Sequence, residues 1–142
     1  MPRIPQVLLT LYGNAVYRVT HGVIETAAYL RDAAQAGMTE VERIIVVNAI
    51  SANPRLGDRM PGCGGARKAR FAMPGKGKRG SYRIIHYYAG EDVPVFLLAV
   101  VKKNERTDLS QSEKNALKRE LAGLAADYRA SLKAQATGTE QK

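Results

Sequence analysis

Cysteine, histidine and tryptophan are rare or absent in this chain of 142 residues. Its single cysteine, Cys63, cannot form an internal disulfide, and the two histidines are His21 and His86. Zinc and iron sites usually need a cluster of cysteine and histidine ligands. The composition therefore predicts no metal and no cofactor, and one lone thiol fits a reducing, cytoplasmic location.

Long apolar runs are also missing. The apolar run at residues 7–12 is too short to cross a bilayer, and no small-residue cleavage site follows it. We therefore expect no membrane helix, no signal peptide and no membrane partner. The chain length suits one domain with a real core.

Acidic residues are missing from one long stretch. No Asp or Glu occurs between Arg59 and Gly90, although basic residues are frequent there. The whole chain contains 22 Lys and Arg residues and 13 Asp and Glu residues, so the net charge is +9. A stretch that carries only positive charges is typical of a surface that binds a polyanion, such as nucleic acid or an acidic protein. The basic residues of the stretch are Arg59, Arg67, Lys68, Arg70, Lys76, Lys78, Arg79 and Arg83.

The segment "PGKGKRGS" at residues 74–81 has glycines at the spacing G-x-G-x-x-G. A dinucleotide-binding loop of that spacing needs a helix after it, because the helix N-terminus receives the pyrophosphate. Here a β-branched and aromatic run follows, and no acidic residue sits about 20 positions on to hold a ribose. The segment therefore predicts a loop between two strands.

The remaining patterns predict the order β-α-α-β-β-β-α. A short strand at 22–25 precedes a helix at 26–36 that Gly37 ends, and a capping box of Thr39 and Glu42 begins a second helix. Three strands at 66–73, 81–89 and 95–102 have connections short enough for an antiparallel meander. Ser110 and Glu113 form a second capping box before a long C-terminal helix. The fold class is therefore α+β, with a small, twisted, mainly antiparallel sheet packed by these helices.

The segments "PGCGGARKARFAMPGKGKRGSYRIIHYY" and "VFLLAVVKKNERTDLSQSEKNALKRE" resemble the RelE/ParE superfamily of toxins from bacterial type II toxin-antitoxin pairs. The similarity is greatest to its HigB-type branch. It is most specific at "PGCGGARKARF", at the Gly/Lys loop, at "YRIIHYY" and at "KNERTDLS". We therefore expect an N-terminal extension of uncertain role at 1–21, one RelE-like domain at 22–135 and a frayed tail at 136–142.

The resemblance implies a toxin that is neutralised by an antitoxin with a helix-turn-helix domain. Members similar to RelE cut mRNA on the translating ribosome, so mRNA and rRNA are the expected RNA partners. Members similar to ParE block DNA gyrase instead. A decayed toxin that only binds its antitoxin is a third possibility.

Strand periodicity offers a separate test, because alternate side chains of a strand face opposite sides of a sheet. Ala69, Phe71, Tyr82, Ile84, Tyr88, Leu98 and Val100 are assigned to the core side. His86 falls on the same side, which favours a hydrogen-bonded structural histidine over a catalytic one. The opposite, open face then gathers Lys68, Arg70, Arg83, Tyr87 and Lys103.

A cluster of cations suits the attack of an RNA 2′-hydroxyl on its own adjacent phosphate, which needs no external nucleophile. Arg70 and Arg83 are assigned to stabilising the transition state, since a guanidinium binds two phosphate oxygens at once. Lys68 or Lys103 serves as base or acid, and Tyr87 helps to hold a base.

Each assignment has a plainer alternative. The alternative for Lys68 and Arg70 is that they form only the charged face of an edge strand, where charge prevents aggregation. Four further basic residues are assigned to RNA or ribosome binding, with solvated loop charge as the alternative: Arg67, Lys76, Lys78 and Arg79.

Overall fold

The computed structural model describes residues 21–73, 81–102 and 109–140. The described elements are β1 (Val23–Glu25), α1 (Ala27–Ala36), α2 (Glu40–Ala52), β2 (Asp58–Arg59), β3 (Arg67–Ala72), β4 (Ser81–Tyr87), β5 (Val95–Lys102) and α3 (Gln111–Glu140). The predicted α+β class and the predicted order of elements are confirmed, with β2 as an additional strand.

The strands form one five-stranded sheet in the order β1-β5-β4-β3-β2. β1 runs parallel to β5, and the other neighbours are antiparallel, as expected for a mainly antiparallel sheet. The sequence did not predict β2, because this strand consists of two exposed polar residues, Asp58 and Arg59, and shows no alternation of apolar and polar residues. It pairs with the outer edge of β3, where Asp58 lies opposite Lys68.

The helix ends follow the predicted chemistry. The Thr39 and Glu42 side chains each accept a hydrogen bond from the other's backbone N–H, at 3.1 and 3.0 Å. Ser110 and Glu113 do the same before α3. Gly37 ends α1 with φ +80°, a left-handed conformation that other residues rarely adopt. α3 continues to Glu140, beyond the domain boundary predicted at 135.

One face of the sheet packs against α1 and α2, and we call it the helix-pair face. Tyr29 and Ala33 of α1 and Val46 and Ile50 of α2 are buried there. The sheet contributes the residues that were expected to face the core, with the exception of Leu98: Ala69, Phe71, Tyr82, Ile84 and Val100 are buried in this cluster, and Tyr88 packs against it. Burial of this apolar surface is the main source of stability for these layers.

The opposite face of the sheet, which we call the α3 face, is not open along its whole width. Ile85 and Val101 are buried there against Leu121 of α3, and Phe96 packs against Tyr128. The prediction of an open face is therefore wrong for β5 and the end of β4. Beyond the edge of α3, the same face carries the charged side chains of β3 and the start of β4.

Leu98 also differs from its prediction, because it packs toward α3 rather than into the core of the helix-pair face. The pairing of β4 and β5 jumps from Ile85↔Ala99 to His86↔Leu97, so Leu98 is an extra residue in β5. A bulge of this kind reverses the alternation of side chains on either side of it.

His21 belongs to the folded domain, although it was assigned to the N-terminal extension. Its backbone N–H donates to the Ser51 carbonyl at 3.0 Å, and the Ser51 hydroxyl donates to the His21 carbonyl. Its ring hydrogen-bonds the Val93 carbonyl and meets the Tyr88 ring edge-on at 5.0 Å. Among the residues that the structure describes, the contacts of the domain therefore include His21.

Candidate functional site

The antiparallel pairing of β3 and β4 brings two arginines together on the α3 face. Arg70 is the direct partner of Arg83, and Lys68, two residues earlier, is the partner of Ile85. Side chains of directly opposed residues are about 4.5–5.5 Å apart at Cβ, and diagonal neighbours are about 7–8 Å apart. Lys68, Arg70 and Arg83 therefore form one cluster, as the alternation of the strands predicted.

The two arginines of this cluster differ in exposure. Arg70 is exposed, and its Nη2 lies 3.5 Å from the Ser81 hydroxyl. Arg83 is half-buried, and its Nη1 is buried without an acceptor among the described residues. The expectation that Arg83 stands in open solvent is therefore corrected. A buried guanidinium nitrogen without an acceptor is costly, and an anion that reached it would relieve that cost.

Lys68 is half-buried and lies between the arginine pair and the edge strand β2. Its partner across that edge is Asp58, which points to the same face because directly opposed residues share a face. The cluster therefore includes a carboxylate that the sequence did not place there. The missing signal is β2 itself, since without that strand nothing aligns Asp58 with Lys68.

Tyr87 does not lie beside the arginine pair. It is on the same face, but four residues along β4 from Arg83, which corresponds to about 13 Å of strand. The buried side chain of Ile85 stands between them. Tyr87 instead packs against the α3 clusters and is a diagonal neighbour of Lys68.

Arg67 lies on the helix-pair face, opposite to Lys68. Its Nη1 donates to the carbonyls of Arg55 and Gly57, each at 3.2 Å, which fixes the loop before β2 against β3. The structure therefore gives Arg67 a role in holding this loop. Its predicted role in RNA binding stays a prediction.

His86 is fully buried on the helix-pair face, as predicted for a structural histidine. Its Nε2 lies 2.8 Å from the Leu56 carbonyl, so this nitrogen carries the proton and donates it. Burial lowers the pKa of His86 below its usual value, and the nearby charge of Arg67 adds to that effect. The ring is therefore neutral at pH 7.

Lys103 and the loop residues Lys76, Lys78 and Arg79 lie outside the described residues. Within residues 21–73, 81–102 and 109–140, no group of His, Cys, Asp and Glu is arranged to hold a metal ion. In the same ranges, no helix is both long and apolar enough to cross a membrane.

The family model "RelE toxin of RelE / RelB toxin-antitoxin system" matches residues 23–140. The chain belongs to the RelE toxin family. The match begins at β1 and runs to the end of α3, so it includes both strands of the Arg70–Arg83 pair.

A solved structure is also similar to this member of the RelE toxin family. It is a mutant of the toxin RelE from E. coli in the free state, with 17% sequence identity and a TM-score of 0.48. The similarity covers 70% of this chain and 97% of that chain. Membership of the HigB-type branch stays a prediction.

Proposed function

We propose that this RelE family member is a ribosome-dependent mRNA endoribonuclease, the toxin of a type II toxin-antitoxin pair. The observation that carries the proposal is the direct pairing of Arg70 with Arg83 beside Lys68, at the part of the α3 face that α3 leaves uncovered. Its proposed substrate is mRNA on the ribosome, and its proposed antitoxin carries a helix-turn-helix domain. The proposed location is the cytoplasm.

The two arginines suit the central step, in which the RNA 2′-oxygen attacks the adjacent phosphorus and the 5′-oxygen of the next nucleotide leaves. Negative charge builds up on the phosphate oxygens in the transition state. Arg83 offers a buried Nη1 that has no acceptor among the described residues, and Arg70 approaches from the paired position on β3. A donor that is already desolvated and held in place stabilises that charge without first shedding water.

The reaction also requires one proton to leave the 2′-hydroxyl and one to reach the 5′-oxygen. Lys68 and Lys103 remain the proposed groups for these transfers, and no metal ion is required. Asp58 joins them as a candidate proton acceptor because it is aligned with Lys68. Tyr87 is a diagonal neighbour of Lys68, so its proposed part is to hold a nearby base rather than the phosphate between the arginines.

Replacing Arg83 by methionine tests this proposal. We expect mRNA cleavage in a purified translation reaction to fall by about 100- to 1,000-fold, because one charged donor to the transition state is lost. The melting temperature should stay equal or rise, since methionine removes a buried donor without an acceptor among the described residues. Arg31→Met, at an exposed position of α1, is the matched control and should retain cleavage.

Normal cleavage by the Arg83→Met protein would contradict the proposed site. If the parent protein produced no new mRNA ends but inhibited DNA supercoiling by gyrase, the ParE-like function would replace the nuclease. Growth arrest with both activities absent would contradict both functions.

A further inference from the structure

A second basic site lies at the other end of the same strands. It is a groove of about 320 Å³ beside the start of β3 and the end of β4. Three arginines line it: Arg55, Arg59 and Arg67. Tyr87 and Tyr88 complete its walls, and none of its described lining residues is acidic. The groove therefore concentrates positive charge about 13 Å of strand away from Arg83.

Contacts hold two of the three arginines of the groove and leave some of their N–H donors available. Within the part of the chain that the structure describes, Arg67 uses only Nη1 for its bonds to the loop, while a guanidinium has five N–H donors. Arg55 lies over the ring of Tyr88, 5.3 Å from its centre, an arrangement that keeps the cation in place by attraction to the ring. Arg59 is exposed on β2. Arg67 and Arg55 are thus positioned before a ligand arrives.

Glycine keeps the centre of the groove free of side chains. Gly65 has φ +101°, and a Cβ added there would lie 3.3 Å from Cε1 of Tyr87 and 3.7 Å from Nη2 of Arg59. Any other residue would therefore occupy the space between the tyrosine ring and the guanidinium. Glycine also allows a ligand to approach the backbone closely.

Asp92 lies near the rim of the groove and is paired with Arg129. It is close to Gly90, which lines the groove, because a Cβ added to Gly90 would be 3.2 Å from Oδ1 of Asp92. Arg129 donates two hydrogen bonds to the carboxylate of Asp92, at 2.5 and 2.8 Å, and lowers its pKa. The Asp92 carboxylate therefore does not neutralise the three arginines of the groove.

We propose that this groove binds one phosphate group of an RNA chain, separate from the phosphate that is cut. Arginines arranged with tyrosine rings and a glycine floor are the combination that binds a nucleic-acid backbone. That the polymer is RNA rests on the proposed function. The phosphate comes either from the mRNA strand that crosses the α3 face or from ribosomal RNA beside it.

The test compares two double variants that each remove two positive charges. Arg55→Gln with Arg59→Gln alters the groove and spares Arg67, whose bonds hold the loop. Arg31→Gln with Arg119→Gln is the control, because both of its arginines are exposed and lie on helices outside the groove. All proteins carry Arg83→Met, so that RNA stays intact while binding is measured.

Binding is measured against salt concentration in two arms. One arm uses a short single-stranded RNA oligonucleotide, and the other uses ribosomes without mRNA. We expect the groove variant to lower the slope of log K against log salt by about 0.7 to 0.9 for the lost phosphate contact, while the control leaves the slope unchanged. A change with the oligonucleotide assigns the phosphate to mRNA, and a change with ribosomes alone assigns it to ribosomal RNA.

Equal slopes for the groove variant and the parent in both arms would overturn the inference. Equal losses in the groove variant and the control would also overturn it, because they would show a general effect of net charge. Binding is measured without cleavage, so this result is independent of whether the Arg83 site proves to be a nuclease.

Discussion

Arg83 and His86 lie three residues apart on β4 and serve opposite purposes. Arg83 is directed to the α3 face and keeps a buried donor without an acceptor among the described residues. His86 is directed to the helix-pair face and donates to the Leu56 carbonyl. The first arrangement costs stability and suits a site for an anion, whereas the second joins the loop before β2 to the sheet.

The pH dependence of stability should reveal His86. Its pKa in the folded protein is lowered, so the folded state resists protonation that the unfolded chain accepts near pH 6.5. The contribution of neutral His86 to the free energy of unfolding is complete above pH 6.5, and it is lost as the pH falls toward the pKa of His86 in the folded protein. We expect the free energy of unfolding to drop in this window by at most about 1.4 kcal/mol per pH unit.

Urea unfolding at several pH values between 7.5 and 5 measures this effect. His86→Gln keeps an N–H donor for the Leu56 carbonyl but cannot be protonated, so its stability should depend less on pH. His21 is present in both proteins, so it does not account for a difference between them. Identical pH slopes in the two proteins would show that His86 is not responsible.

For individual residues, the sequence predicted which cations share a face of the sheet, but it did not predict which other side chains surround them. Strand alternation placed Lys68, Arg70 and Arg83 together, because that rule depends only on the local backbone. It could not place Asp58 beside Lys68, since that requires the pairing of two distant segments. Nor could it show that Ile85, which stands between Arg83 and Tyr87 on the strand, is buried under α3.

Among the elements, α3 decides how much of the sheet is available to a ligand. Leu121 of α3 is buried in one cluster with Ile85 and Val101, and the described apolar clusters beneath α3 include no residue of β2 or β3. The sequence predicted the helix from its capping box and its apolar stripe. It did not predict which face the helix covers, and the bulge at Leu98 changes which residues meet it.

Leu121→Ala should therefore destabilise the protein by about 2 to 5 kcal/mol, as expected when a buried leucine leaves a cavity. Leu30→Ala on α1 makes the same chemical change at a position that is 36% exposed, and it should cost at most about 1 kcal/mol. Urea unfolding of the three proteins measures both values. Equal costs at the two positions would mean that α3 does not pack on the sheet as described.

At the scale of the whole molecule, the contacts of His21 make this residue part of the domain. Removal of residues 1–20 should leave both the free energy of unfolding and growth arrest unchanged, because the match to the RelE family begins at residue 23. Removal of His21 as well should cost about 1 to 3 kcal/mol, since the Val93 carbonyl and the Ser51 hydroxyl lose their partner.

Urea unfolding and expression of both truncated chains compare these two boundaries. Loss of folding on removal of residues 1–20 would show that the preceding segment is required by the domain. Equal stability of the two truncated chains would show that the His21 contacts contribute nothing.

The strand order also determines when this protein can fold during its own synthesis. β5 lies between β1 and β4, yet it is the last of the described strands to be translated. β1 therefore cannot pair until β5, which begins at Val95, has been synthesised. The 30 residues of α3 are still to be synthesised when β5 is complete. Pairing between distant segments is slow and forms late. The finished sheet, with its arginine pair, consequently cannot form before β5 has been synthesised, so a partner that recognises the folded sheet binds it only after that point.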